Sequence, residues 1–150
     1  MLAVGVSFGP GTVEAANTAG NQTDLEGLPI TEDFVEDDPP EWNITGDAEF
    51  TNVDETDTLR LTAAKGEKAG TGLYTESFPT TQGITTEIRY YAADGSGADG
   101  FTFFLLNESQ VNLADFSPGE PGGNLGYSAH SEGGGIPGGY LGVGFDEYGN

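Results

Sequence analysis

Glycine and proline interrupt this chain so often that no stretch of it can sustain a long helix. The 150 residues include 25 glycines and 8 prolines, and both residue types destabilise a helix interior. The segments between them are short and rich in Thr, Ile, Tyr, Phe and Leu, which favour strands over helices. The sequence therefore predicts an all-β chain made of short strands and turns.

The clearest strand pattern alternates apolar and polar residues with a period of two. Leu59 and Leu61 fall on one face of the segment 58–62, and the polar residues fall on the other. The nearly continuous apolar run at 101–106 predicts a strand deep in a β-sandwich. In total, strands are predicted at 58–62, 72–78, 84–91, 101–106 and 140–145.

The N-terminal part of the chain differs in composition from the rest. Residues 1–33 are predicted to be an arm, either part of a signal segment or a linker. The first 16 residues are mildly apolar, but they lack a basic start and contain a Gly-Pro-Gly interruption. A β-sandwich domain is expected over 34–150, with Trp42 either buried in its core or anchoring the edge of a strand.

Charge and residue usage exclude several classes of function. The chain has 25 acidic and 4 basic residues, so its net charge is −21. Such a surface repels nucleic acid and anionic lipid, because phosphate binding needs lysine and arginine. There is no cysteine, and His130 is the only histidine, which gives little support to zinc sites or Cys/His catalysis. No apolar stretch is long enough to predict a membrane span.

Three loop segments could carry chemistry: Gly97 to Gly100, Gly122 to Tyr127, and Phe145 to Asn150. Taken singly, each is an ordinary turn sequence. The last segment, however, offers side-chain oxygens and backbone carbonyls within one turn. Hard cations such as calcium bind this type of ligand set.

The order of these segments resembles the L-type (legume-type) lectin family, in its bacterial and archaeal secreted or surface branch. The matching motifs are Ala-Asp-Gly-Phe-Thr-Phe-Phe-Leu from Ala98, Gly-Gly-x-Leu-Gly from Gly122, and Phe-Asp-x-Tyr-x-Asn from Phe145. The resemblance covers roughly residues 34–150. It implies a concanavalin-like antiparallel β-sandwich, or jelly roll, that is incomplete at its C-terminus. It also implies an extracellular or cell-surface location.

The resemblance assigns carbohydrate-binding roles to five residues. Asp99 matches an aspartate that accepts hydrogen bonds from two sugar hydroxyls. Gly122 or Gly123 matches a glycine whose backbone N–H donates to the sugar. Tyr148 matches an aromatic residue that stacks on the sugar ring, and Asn150 matches an asparagine that contacts both sugar and metal. The implied partners are glycans, either polysaccharide or glycoprotein.

The same resemblance implies a calcium site made by the Asp146 carboxylate, the Tyr148 carbonyl and the Asn150 side chain. Plant members place a glutamate two positions before the aspartate, where it helps to hold a transition metal. This chain has Gly144 at that position. The expected cofactor is therefore calcium alone.

Two other functions remain open from the sequence. A glycoside hydrolase on the same fold needs two carboxylates about 5–9.5 Å apart across the scissile bond. Asp146 and Glu147 are adjacent, which predicts side chains on opposite faces of a strand. The other alternative is a structural or adhesion module with a degenerate sugar site. Calcium-dependent glycan binding without catalysis is the main expectation.

Overall fold

The computed structural model describes residues 2–7, 30–35, 39–78, 84–95, 99–129 and 135–148. Within these ranges the chain forms eight strands and three short 3-10 turns, and every strand pair is antiparallel. The prediction of an all-β chain is confirmed. The strands are β1 (Leu2–Ser7), β2 (Trp42–Gly46), β3 (Glu49–Val53), β4 (Thr56–Thr62), β5 (Gly70–Tyr74), β6 (Glu87–Ala92), β7 (Gly100–Leu106) and β8 (Gly139–Asp146).

The eight strands form three separately hydrogen-bonded sheets. The largest has the strand order β3-β4-β1-β6, and the other two are the pairs β2-β5 and β7-β8. The 3-10 turns Glu108–Gln110, Leu113–Asp115 and Gly122–Asn124 lie in the connection between β7 and β8. Within the described ranges, no helix has the length and apolar character needed to cross a membrane.

All five predicted strands are present, with ends that differ from the predicted ones by a few residues. The structure adds β1, β2 and β3, which the sequence analysis did not identify. Strand β1 lies within the predicted arm, yet it pairs with β4 on one edge and with β6 on the other. Its sequence, Leu-Ala-Val-Gly-Val-Ser, has the period-two alternation typical of a strand.

One apolar core contacts strands of all three sheets. Trp42 from β2, Leu59 from β4 and Phe101 from β7 are buried in it, together with Ile30 and Phe34. The prediction that Trp42 is a core residue is confirmed, since only 8% of it is exposed. Its indole N–H donates to the Glu32 carboxylate at 2.9 Å, which satisfies the polar group of a buried ring.

Burial along the β7-β8 pair is uneven. Phe101 is buried, whereas residues 102–106 are half-buried. On β8, Phe145 is half-buried and the other residues are exposed. The expectation of a deeply buried strand at 101–106 is thus met only at Phe101. Phe101 anchors one end of the β7-β8 pair in the core, and that end carries two of the three predicted motifs.

Truncation of Leu59 should destabilise the fold strongly. Leu59 is 2% exposed, and its side chain covers Gly72 on β5. We expect Leu59→Ala to lower the free energy of unfolding by about 2–5 kcal/mol, because it removes buried methyl groups and leaves a cavity. Chemical denaturation measures this change. Leu141→Ala is the matched control, since Leu141 is 43% exposed; an equal loss in both variants would contradict this core.

Candidate functional site

The start of β7 and the end of β8 bring two predicted motifs together. Gly100 pairs with Asp146 in the antiparallel register, and the Glu147 N–H donates to the Asp99 carbonyl oxygen at 2.9 Å. Gly100 has a φ of +139°, and a Cβ there would lie 1.9 Å from the Phe145 carbonyl oxygen. Only glycine fits this close approach. The loop that contains Asp99 and the turn after Asp146 therefore lie side by side, because β7 and β8 are paired there.

The Gly-Gly-x-Leu-Gly motif forms a compact loop around a buried amide. Asn124 is 6% exposed; its Nδ2 group lies 3.4 Å from a Glu120 carboxylate oxygen, and its Oδ1 accepts from the Ser128 hydroxyl at 3.2 Å. Leu125 ends the 3-10 turn in the left-handed region at φ +53°. The buried amide thus holds the shape of the loop, in which Gly122 is half-buried and Gly123 is exposed.

Those two glycines present backbone that a ligand can approach. A Cβ built on Gly122 or on Gly123 would meet no atom within 4 Å. The N–H groups that begin a helical turn have no partner inside the turn, and Pro121 provides no side-chain cap. Gly122 has a φ of +74°, a conformation that glycine adopts without strain.

Asp99 and Gly122 line the same cavity, which has a volume of about 540 Å³. Leu125 and Glu147 also line it, and the connection between β4 and β5 forms a further wall. Asp99 is half-buried. The structure therefore brings two of the predicted carbohydrate-binding residues to one concave surface.

The turn after β8 is ordered by a local hydrogen bond. The Asp146 carboxylate accepts from the Tyr148 N–H at 2.9 Å, the pattern of an aspartate-initiated turn. Tyr148 is 65% exposed, as an aromatic ring must be to stack on a ligand. Gly123, Asp146 and Tyr148 are not among the residues that line the cavity. Asn150 lies outside the described residues, as does His130.

The donor set for a metal ion is small within the described part of the chain. No group of three or more Asp, Glu or His side chains lies close enough to hold a metal there. A carboxylate has about four acceptor sites, so Asp146 retains acceptor capacity while it binds the Tyr148 N–H. An oxygen-binding cation at this turn would depend on Asp146, on backbone carbonyls and on residues beyond Tyr148.

The position of Gly144 is shaped by a neighbouring side chain. A Cβ on Gly144 would lie 3.1 Å from the Leu125 Cδ1 atom and 4.0 Å from the Thr102 hydroxyl. Leu125 therefore occupies the direction in which a residue at position 144 would project. A glutamate at this position would have to displace Leu125.

Both signs of charge are present around the cavity. Lys68 pairs with Asp47 at 2.6 Å, and this hydrogen bond lowers the pKa of the Asp47 carboxyl below its ordinary value. Acidic and basic side chains thus line the cavity together with the apolar residues Leu61, Phe101 and Leu125. The charged residues that line the cavity are Lys65, Glu67, Lys68, Asp94, Asp99 and Glu147.

A larger cleft, of about 750 Å³, lies between β5 and β7. It is lined mainly by apolar and aromatic side chains such as Trp42, Tyr74 and Phe103. None of the predicted site residues lines it. The smaller cavity is therefore the candidate site, because it alone of the two is lined by predicted carbohydrate-binding residues, Asp99 and Gly122.

Sequence reasoning did not anticipate three parts of this site. Leu125 packs over Gly144, residues 63–70 form a wall of the cavity, and Glu147 joins Asp99 to Tyr90. The Tyr90 hydroxyl donates to the Glu147 carboxylate at 3.0 Å. These contacts link segments that are distant in the chain, so no local sequence pattern could have revealed them.

Comparison of the chain with protein-family models, with curated proteins and with solved structures found no match. The lectin resemblance therefore rests on the three motifs themselves, and the functional interpretation rests on how the described residues are arranged.

Replacement of Gly100 should disrupt the junction between β7 and β8. We expect Gly100→Ala to lower the free energy of unfolding by at least about 2 kcal/mol, because the side chain meets the Phe145 carbonyl and the backbone conformation becomes strained. Gly66→Ala is the control, since a Cβ there meets nothing within 4 Å. Thermal denaturation compares the two variants. Equal stability of both would show that the close approach is not a real constraint.

Proposed function

We propose that this chain carries a calcium-dependent carbohydrate-binding site on a concanavalin-like β-sandwich of the L-type lectin kind, in an extracellular or cell-surface protein. The observation that carries the proposal is the convergence of the motifs. Asp99 and Gly122 line one cavity, and the Glu147 N–H ties the third motif to the Asp99 carbonyl. Three sequence motifs that lie far apart in the chain thus meet at one end of the β7-β8 pair.

Sugar recognition would rely on directional hydrogen bonds at a shallow surface. The Asp99 carboxylate accepts from sugar hydroxyls, and the backbone N–H of Gly122 or Gly123 donates to a sugar oxygen. Hydrogen bonds to a charged group are among the stronger ones, at about 1.5–3 kcal/mol. The Tyr148 ring, which is 65% exposed, covers the apolar face of the sugar ring. Asn150 would contact the sugar from the end of the same turn.

Calcium would be held by the turn after β8. The Asp146 carboxylate, the Tyr148 carbonyl and the Asn150 side chain are its proposed ligands, with water or further oxygens completing the six to eight that calcium prefers. When bound, the ion supplies a fixed positive charge that orients the turn. In this proposal it positions Tyr148 and Asn150 for the sugar.

The hydrolase alternative gains no support from the arrangement of the two adjacent acids. Asp146 accepts from the Tyr148 N–H, whereas Glu147 accepts from the Tyr90 hydroxyl. A glycosidase needs two carboxylates that face each other across the scissile bond. No contact among the described residues places these two acids in that relation, so binding is the function proposed.

Removal of the Asp99 carboxylate should weaken glycan binding. We expect Asp99→Ala to weaken binding on a glycan array at least about tenfold, because a charged acceptor is lost. Glu76→Ala is the matched control: it removes the same charge from an exposed residue that lines the other cleft. Asn150→Asp should also weaken binding, since it replaces an amide that donates and accepts with an acceptor-only group.

Calcium dependence is tested with the same chain and a chelator. Calcium at about one hundred times its dissociation constant should stabilise the chain by about 2.7 kcal/mol, because it binds only the folded state. The midpoint of thermal unfolding should rise by several degrees and fall again with chelator. Glycan binding that resists chelator and is unaffected by Asp99→Ala and Asn150→Asp would contradict the proposal.

A further inference from the structure

Glu147 connects three segments at the candidate site. Its backbone N–H donates to the Asp99 carbonyl oxygen at 2.9 Å, and its carboxylate accepts from the Tyr90 hydroxyl at 3.0 Å. Glu147 itself stands between Asp146 and Tyr148. One residue thus joins the loop before β7, the strand β6 and the turn after β8.

The Tyr90 hydroxyl is held by aromatic packing, although Tyr90 is 40% exposed. Its ring lies 4.9 Å from Phe101 and 6.1 Å from Phe145, measured between ring centroids. Phe101 and Phe145 stack on each other at 4.5 Å with an interplanar angle of 6°. Because Phe101 is 4% exposed, this aromatic group is fixed to the core. The hydrogen bond from Tyr90 therefore attaches Glu147 to a side chain that is itself packed against the core.

We propose that Glu147 is a positioning residue for the ligand site, and that Tyr90 is its anchor. Together they hold the Asp99 loop and the turn of Asp146 and Tyr148 in the arrangement that binds. The proposal rests on the function proposed above, which it deepens by naming residues that the lectin resemblance does not assign. Neither side chain needs to touch the sugar or the metal.

The physical reason is the cost of ordering loops on binding. Fixing the backbone of a loop on binding costs conformational entropy, and a binding site that is ordered in advance avoids part of this cost. The Asp99 loop and the turn after β8 both lie at strand ends, where the sheet itself provides few constraints. The Glu147 bridge supplies that constraint from a strand of another sheet.

Removal of either side of the bridge should weaken glycan binding without unfolding the chain. We expect Tyr90→Phe and Glu147→Ala each to raise the dissociation constant for a glycan about three- to tenfold, the range set by one hydrogen bond. The double variant should bind no worse than the weaker single variant, because both changes remove the same interaction. Glu147→Gln keeps an acceptor and should restore most of the affinity. Tyr91→Phe, at the exposed neighbouring position on β6, is the control.

A pH profile distinguishes this role from a general loss of stability. The Glu147 carboxylate, which accepts the hydrogen bond, raises the pKa of Tyr90 above its ordinary value of about 10. The bridge is therefore complete below about pH 10 and is lost as the pH rises through the raised pKa of Tyr90. We expect glycan affinity to fall in that alkaline range, and this fall should be absent in Tyr90→Phe. The ultraviolet absorbance of tyrosinate should show Tyr90 titrating at lower pH in Glu147→Ala.

Two results separate failure of this inference from failure of the proposed function. Loss of binding in Asp99→Ala, with full affinity in Tyr90→Phe and Glu147→Ala, would overturn the bridge and leave the function standing. If the unaltered chain binds no glycan, the proposed function fails, and hydrogen exchange at the Glu147 amide then tests the bridge alone. Faster exchange in Tyr90→Phe than in Tyr91→Phe would support the bridge, and equal exchange would overturn it.

Discussion

The antiparallel pairing of β7 with β8 is the constraint on which the candidate site depends. It places Gly100 opposite Asp146 and Phe101 opposite Phe145, so the loop before one strand must lie beside the turn after the other. Because side chains alternate between the two faces of a strand, a shift of β8 by one residue would move all of its side chains to the opposite face. The close approach at Gly100 and the Phe101–Phe145 stack both oppose such a shift. The strand register therefore places Asp99 beside the end of β8, and the Glu147 bridge constrains the loop and the turn beyond the paired residues.

The β7-β8 pair packs against the rest of the molecule mainly at the end that carries the candidate site. Phe101 is buried in the core, and Tyr90 on β6 packs against both Phe101 and Phe145. Farther along the pair, Tyr140, Leu141 and Val143 are exposed. Packing against the core is thus concentrated in the part of the pair that presents the motifs. A ligand site benefits from this placement, because that packing supports the strand ends on which it is built.

Short-range sequence patterns predicted five of the strands, whereas the arrangement of the candidate site depends on contacts between residues far apart in the chain. Leu59 and Leu61 alternate clearly, so β4 could be identified from the sequence, and the apolar run at 101–106 identified β7. Strand β1 was missed because its alternation is short and is followed by glycine and proline, which made the segment look like an arm. Glu147 contacts both Asp99 and Tyr90. These residues belong to separate segments of the chain, so no single segment predicts the contacts. The motifs therefore predicted which loops matter, whereas only the fold shows what holds them together.

Amide chemical shifts test most directly whether the three motifs form one ligand site. Calcium and then a glycan would be titrated into the isotope-labelled chain, and the backbone amides followed by two-dimensional NMR. We predict that the glycan shifts the amides of Asp99, Gly122, Gly123 and Glu147 together and that these shifts give one dissociation constant for the glycan. Chelator should reverse these shifts. Shifts confined to the cleft lined by Trp42, Tyr74 and Phe103, or glycan-induced shifts that persist in chelator, would contradict the account.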